Sequence, residues 1–258
     1  MGEFERLIQE AQIQPVSGWD FSWIHGRTAE GEPSWNYREI VREAKARAAS
    51  LLDMGTGGGE FLSSLAPLPQ NTSATEGYGP NVSVAQRRLE PLGVSVIPIE
   101  ADHDLPFAAD QFELIINRHE SYAPAEVHRI LRSGGTFITQ QVGGQNGNRL
   151  NEFLQAPSNE EFAYWNLDFA TEELRRANFC VIDAREDFPA THFYDVGAVV
   201  YYLRMVEWQI PGFTVERYEQ RLRELHRHII SHGYFEVPSH RFLIRATRTA
   251  PDCGDRVP

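Results

Sequence analysis

Lysine is almost missing from this chain: among 258 residues Lys45 stands alone, and every other basic side chain apart from histidine is arginine. A Walker-type phosphate loop closes on Gly-Lys-Ser or Gly-Lys-Thr. With its one lysine upstream of the glycine cluster at 55–59, the chain cannot form one. Cysteine is scarce as well. Cys180, in a segment that reads as a buried strand, and Cys253, in a polar tail, have neither metal-ligand spacing nor a disulfide framework, so no metal site is expected and a reducing cytoplasm is the natural setting. No run approaches the roughly eighteen apolar residues of a membrane span. The start, MGEFERLIQE, lacks the basic and apolar stretches of a secretion signal, and no membrane partner is expected. Positive charge is also in deficit, with a formal net charge of -12. Such a field repels polyanions, which disfavours nucleic acid and favours a small-molecule substrate.

What is present is an ordinary globular composition, 41% hydrophobic and 23% charged. A short amphipathic helix over Glu3 to Ala11 precedes an aromatic stretch with Trp19, Phe21, Trp23, Trp35 and Tyr37, and a helix over Asn36 to Ala48 follows. Strand and helix signals then alternate. Strands are predicted at 50–54, 73–76, 94–99, 112–117, 136–142, 179–184 and 242–246. Helices are predicted at 58–66, 81–92 and 123–131, and another opens at Thr171 as N-cap. Ser133-Gly134-Gly135 supplies positive-φ residues where the third of these helices ends, and Gly143 to Gly147 reads as a mobile loop. The expected fold class is α/β, a Rossmann-like, mostly parallel sheet of seven strands with helices on both faces. Two helices, 196–208 and 214–231, form a cap inserted before the last strand. The expected division is an arm at 1–48, a core at 49–188 and 234–248, a cap at 189–233 and a tail at 249–258.

In an open parallel sheet, ligands bind beyond the carboxyl ends of the strands where strand order reverses. Asp53-Met54-Gly55-Thr56-Gly57-Gly58-Gly59 follows the first core strand and falls at that place. Gly55 and Gly57 permit a tight turn, and a helix starting near Gly58 would direct free amides at a ligand. A dinucleotide fingerprint beginning at Gly55 requires glycine or alanine at position 60, where Glu60 stands. An acidic strand end before the glycines suits a cationic ligand better than a pyrophosphate. Glu76, at the end of the second core strand, can accept both ribose hydroxyls, a contact that nicotinamide binders share. Asp102, in Glu100-Ala101-Asp102-His103-Asp104-Leu105-Pro106-Phe107, can accept from an adenine amino group while leucine packs on the base. Together these elements outline an adenosine site.

Residues 50 to 142 resemble the class I methyltransferase domain, in particular the small-molecule group that includes the quinone-biosynthesis C-methyltransferases. The likeness rests on LLDMGTGGGE, ATEGYGPN, EADHDLPF, FELIINRHES and HRILRSGGTFITQQV, in the family's order and spacing. It implies S-adenosyl-L-methionine as cofactor and S-adenosyl-L-homocysteine as product. By the same resemblance Asp53 and the Gly55 to Gly59 loop, with Gly55, Thr56 and Gly57 in contact, hold the methionine part, Glu76 the ribose, and Asp102 and His103 the adenine, and Gly77 is a further cofactor-binding residue. Asn117 and Arg118 line the cofactor beside its methionine end.

Methyl transfer is an in-line displacement at an activated sulfonium, so alignment supplies much of the catalysis and a base is added only when the acceptor demands one. His119 is the candidate base, with Glu120 behind it; a capping role for both residues stands beside that reading. His192, Tyr194, Tyr164 and Trp165 are candidates for an acceptor pocket or for core packing. Two other classes remain open: a module that binds the cofactor without turnover, and a nucleic-acid methyltransferase. The second is opposed by the charge and by Asn117-Arg118-His119-Glu120 standing where an Asn-Pro-Pro-Tyr-type sequence would be.

Overall fold

The computed structural model describes residues 2–16, 20–158 and 160–249; Trp19, Cys253 and residues 250–258 of the expected tail lie outside the described residues. In chain order its helices and strands begin α1 (Glu3–Ile13), β1 (Thr28–Glu30), α2 (Tyr37–Lys45), β2 (Ser50–Met54), α3 (Glu60–Ser63), β3 (Asn71–Glu76) and α4 (Gly79–Leu89). They continue β4 (Ser95–Pro98), β5 (Phe112–Arg118), α5 (Pro124–Ile130), β6 (Leu131–Val142), α6 (Asn148–Leu154), α7 (Leu167–Arg176) and β7 (Phe179–Asp187). The last are β8 (Ala190–Phe193), α8 (Val196–Met205), α9 (Val215–His232), β9 (Phe235–Pro238) and β10 (Arg241–Arg248).

The chain divides into two compact units. The sheet unit comprises residues 35–142, 166–186 and the described chain from Phe242 onward. Its seven strands run in the order β4-β3-β2-β5-β6-β10-β7, and the β4/β3, β3/β2, β2/β5 and β5/β6 pairs are parallel. This is the seven-stranded, mostly parallel α/β sheet expected from the alternating pattern. All five residues of β2, SLLDM, are buried, as a central parallel strand covered on both faces requires. The chain winds outward from β2 through β3 to β4, then returns to β5 on the other side of β2. The reversal therefore falls between β2 and β5, where Met54 pairs with Asn117.

Local details depart from the sequence reading. The first core helix is four residues long, not nine. Helix α7 opens at Asn166, whose side chain accepts from Phe169 N, while Thr171 lies inside the helix with its hydroxyl donating to Leu167 O and Asp168 O. Gly134 does adopt a positive φ, +77°, but inside a register shift of β6, which starts at Leu131 directly after α5. Cys180 is exposed rather than buried, on an edge strand of the sheet.

The helical unit comprises 1–34, 143–165 and 187–241 within the described residues. Helix α8 is apolar up to its last turn, where Arg204 stands, with Val196 to Tyr201 buried without a break. Its cap, Asp195, accepts from Ala198 N and takes both Nε and Nη2 of Arg27 at 2.7 and 2.8 Å. Strands β1, β8 and β9, absent from the sequence reading, form an antiparallel three-stranded sheet in the order β1-β8-β9. The loop read as mobile is anchored: Gly143 N donates to His240 O, Gly144 N to Trp165 O and Gln145 N to His240 Nδ1.

Candidate functional site

At the carboxyl end of β2 the backbone turns through Gly55, Gly57 and Gly59 with φ of +67°, +60° and +80°. These left-handed angles strain any residue with a Cβ. At Gly55 space is lacking as well, because a Cβ would lie 2.4 Å from Glu120 Cγ. Thr56 N donates to Thr75 O at 2.9 Å, tying the turn to β3. Because α3 has four residues, it supplies little of the N-terminal dipole expected of a longer helix. Side-chain carboxylates dominate the local field instead.

Four of them gather here. Asp53 is 4% exposed and accepts from Thr56 Oγ1 at 2.7 Å. Burial pushes its carboxyl up to about 7, with Glu76 adding to the rise and Thr56 and Arg118 opposing it. Glu76, also 4% exposed, ends β3 and accepts from Tyr78 N at 2.8 Å. Glu120 lies across Gly55, and burial, then Asp102 and Glu76, hold its carboxyl above the ordinary range. Asp102 accepts from Ser121 Oγ, so the third and fourth core strand ends are joined through the Ser121 hydroxyl. Arg118 extends its guanidinium over Phe61, 5.4 Å from the ring centre, and leaves the acidic character in place.

The structure brings Asp53, Gly55, Thr56, Gly57, Glu76 and Gly77 together around the turn, with Asp102 linked through Glu120 and Ser121. A Cβ at Gly77 would meet nothing nearer than Ile99 O at 3.7 Å, so that position does not demand glycine for space. His103 is exposed on the loop after β4. Leu105 is 2% exposed and its N donates to Glu126 Oε1, which makes it part of the core. Asn117 is fully buried: its Oδ1 accepts from Thr139 Oγ1 at 2.9 Å and Gln141 Nε2 at 2.6 Å. Its backbone oxygen accepts from the Tyr37 hydroxyl. Asn117 therefore braces β5 against β6 and α2. His119 takes a left-handed φ of +59°, its N donates to Gln140 O, and its Nε2 lies 3.1 Å from Gln140 Nε2.

Sequence reasoning passed over Gln140 and Gln141. Two amides in the strand segment ITQQV, beside the buried Ile138 and Thr139, were the available signal, since buried polar groups require partners. Glu120 was considered only as a companion of His119, and its contact with Gly55 depends on the fold of the 119–121 turn.

Residues 52–139 match the family described as a methyltransferase domain. No curated protein matches the chain in sequence. Among solved structures, a candidate methyltransferase of Bacillus halodurans C-125 is similar in fold, with 16% identity and TM-score 0.59 over 83% of this chain and 97% of that one. The [4+2]-cyclase SpnF, at 14% identity and TM-score 0.56, is matched over 96% of this chain and 95% of its own. A geranyl diphosphate methyltransferase in complex with SAM has 14% identity and TM-score 0.50 over 82% and 84%. The match at residues 52–139 takes in the glycine turn, Glu76, Asp102, Asn117 and Glu120, so the residues of the turn lie within the stretch that is similar to methyltransferase domains.

Proposed function

We propose that the chain is an S-adenosylmethionine-dependent methyltransferase acting on a small-molecule acceptor, with S-adenosylhomocysteine as product. The observation that carries this reading is the field at the turn: Asp53, Glu76, Asp102 and Glu120 surround a glycine cradle, and two of them are held above their usual ionisation range. A buried cluster of one sign is relieved by a ligand of the other, and a pyrophosphate would be repelled. The donor carries a sulfonium, an ammonium and ribose hydroxyls, which match carboxylate acceptors. When bound, it supplies an activated methyl group.

In this reading Asp53 and the Gly55 to Gly59 backbone hold the methionine part, joined by Glu120. Glu76 and Gly77 receive the ribose, and Asp102 and His103 the adenine. Arg118 stands beside the methionine end. Asn117 keeps β5 and β6 in register beneath the site, which fixes where the 118–121 turn begins. The net charge of -12 supports a small acceptor over nucleic acid. The resemblance to the quinone-biosynthesis group supports the same choice.

Calorimetric titration of the full chain with S-adenosylmethionine, S-adenosylhomocysteine and NAD tests the assignment. Binding of the first two without the third is expected. NAD binding without S-adenosylmethionine binding overturns it. Transfer of labelled methyl from the donor to a panel of small-molecule acceptors then tests turnover.

A further inference from the structure

Gln140 is 6% exposed in β6, and no contact proposed for the cofactor uses it. Its amide is engaged on both sides. Trp35 Nε1 donates to Gln140 Oε1 at 2.9 Å. An indole nitrogen can only donate, so the amide oxygen must face Trp35 and the amide NH2 must face away. That NH2 lies 3.1 Å from His119 Nε2. An amide NH2 also can only donate, and His119 Nε2 therefore accepts. An imidazole nitrogen that accepts carries no proton, which leaves the ring neutral with its proton on Nδ1. The backbone holds the ring's origin in the same relation, since His119 N donates to Gln140 O at 2.8 Å and φ is fixed at +59°. A general base needs an open lone pair, and the one lone pair of this neutral ring is committed to Gln140.

We propose that Trp35 and Gln140 are positioning residues that lock His119 in the neutral Nδ1–H tautomer, with its one lone pair committed to Gln140, so that His119 does not take the acceptor's proton. The role toward an acceptor rests on the methyltransferase reading; the tautomer does not.

The test is long-range nitrogen–proton correlation spectroscopy on the full chain labelled with 15N-histidine at pH 8, with His119 assigned by the signals missing in His119→Gln. The expected spectrum has a protonated Nδ1 and an unprotonated Nε2. A protonated Nε2, or a mixture of both forms, overturns the proposal. Gln140→Glu presents an acceptor to both neighbours and should move the proton to Nε2; Trp35→Phe frees the amide to turn and should give a mixture. Folded variants, shown by unchanged circular dichroism, with a native His119 spectrum would remove Gln140 and Trp35 from the role. With an acceptor in hand, His119→Asn, which cannot act as a base, should keep kcat within about tenfold of the native chain; a greater loss, in a variant that folds, overturns the exclusion of His119 as base. Absence of methyl transfer by the native chain refutes the proposed function and leaves the tautomer result standing.

Discussion

Replacing Asp53 by asparagine should make the ligand-free protein more stable at pH 8 while weakening its hold on S-adenosylmethionine. The folded carboxyl is raised to about 7 against an ordinary 3.8, chiefly by burial. At about 1.4 kcal/mol per pH unit, that gap corresponds to roughly 4 kcal/mol. Below pH 3.8 the carboxyl is protonated in both states and the term vanishes. Between pH 3.8 and 7 the unfolded chain is ionised and the folded one is not, so folding takes up a proton and stability declines as pH rises. Above 7 the whole penalty is present. Asparagine is close in shape, leaves Thr56 Oγ1 an oxygen to donate to, and does not titrate. Thermal melts of both proteins should therefore diverge from pH 4 to pH 7, with the variant gaining up to about 4 kcal/mol, at roughly 2–4 °C per kcal/mol. Ligand binding should show the converse. A cationic donor selects the ionised carboxylate, so wild-type affinity should rise by up to about tenfold per pH unit below 7 and level off above it. In Asp53→Asn the affinity should be lower at pH 8 and flatter with pH. Parallel melting curves across this window would refute the burial argument, and an unaltered pH profile of binding would remove Asp53 from the site.

Three further outcomes are expected. Glu76→Ala should weaken S-adenosylmethionine at least tenfold by calorimetry, about 1.5–3 kcal/mol for a charged acceptor; wild-type affinity would dismiss the ribose assignment. Gly55→Ala should bind more than tenfold worse, because φ is +67° and the new methyl would meet Glu120 Cγ. Unchanged affinity would show that neither the backbone angle nor the contact with Glu120 matters to the site. Asn117→Ala removes the acceptor of Thr139 Oγ1, whereas Gln141 Nε2 keeps Glu120 O and Thr139 Oγ1, and should lower stability by about 1–3 kcal/mol for the one donor left unpaired, read as a fall in thermal midpoint. An unchanged midpoint would show that this bracing does not stabilise the fold.

The elements that could be read from sequence are those whose determinants are local. Ser50–Met54 was found with the bounds predicted, because an apolar run between turn signals has no other good use. Asp53, the penultimate residue of that strand, follows from it, and Glu76 is placed by the end of β3. Thr171 misled because Asn166 is an equally good cap five residues earlier, and the choice depends on which turn of helix packs inward. The 143–147 loop has a mobile composition, yet the partners that hold it, His240 and Arg241, lie about ninety-five residues away. Strands β1, β8 and β9, three to four residues each, carry no periodic signal and exist through pairing across the chain. In the site, Asn117 and His119 were placed at the right strand end, but their partners sit on β6. Whether an amide faces a ligand or a neighbour is settled by that pairing.

The acidic turn also bears on why this topology can serve ligands of opposite charge. A doubly wound sheet offers the same crevice to a dinucleotide and to a sulfonium donor, and glycines in the first turn are needed by both. Selection then falls to the charge set on the strand ends. Here Asp53 is buried without a full counter-charge and Glu120 is folded over Gly55, so the ligand-free site carries electrostatic strain. A cation placed against these groups removes strain that water and Arg118 do not, and the free energy so released adds to affinity. A pyrophosphate would increase it. On the proposed reading, discrimination between the two cofactor classes arises from the carboxylates already in place before any ligand arrives.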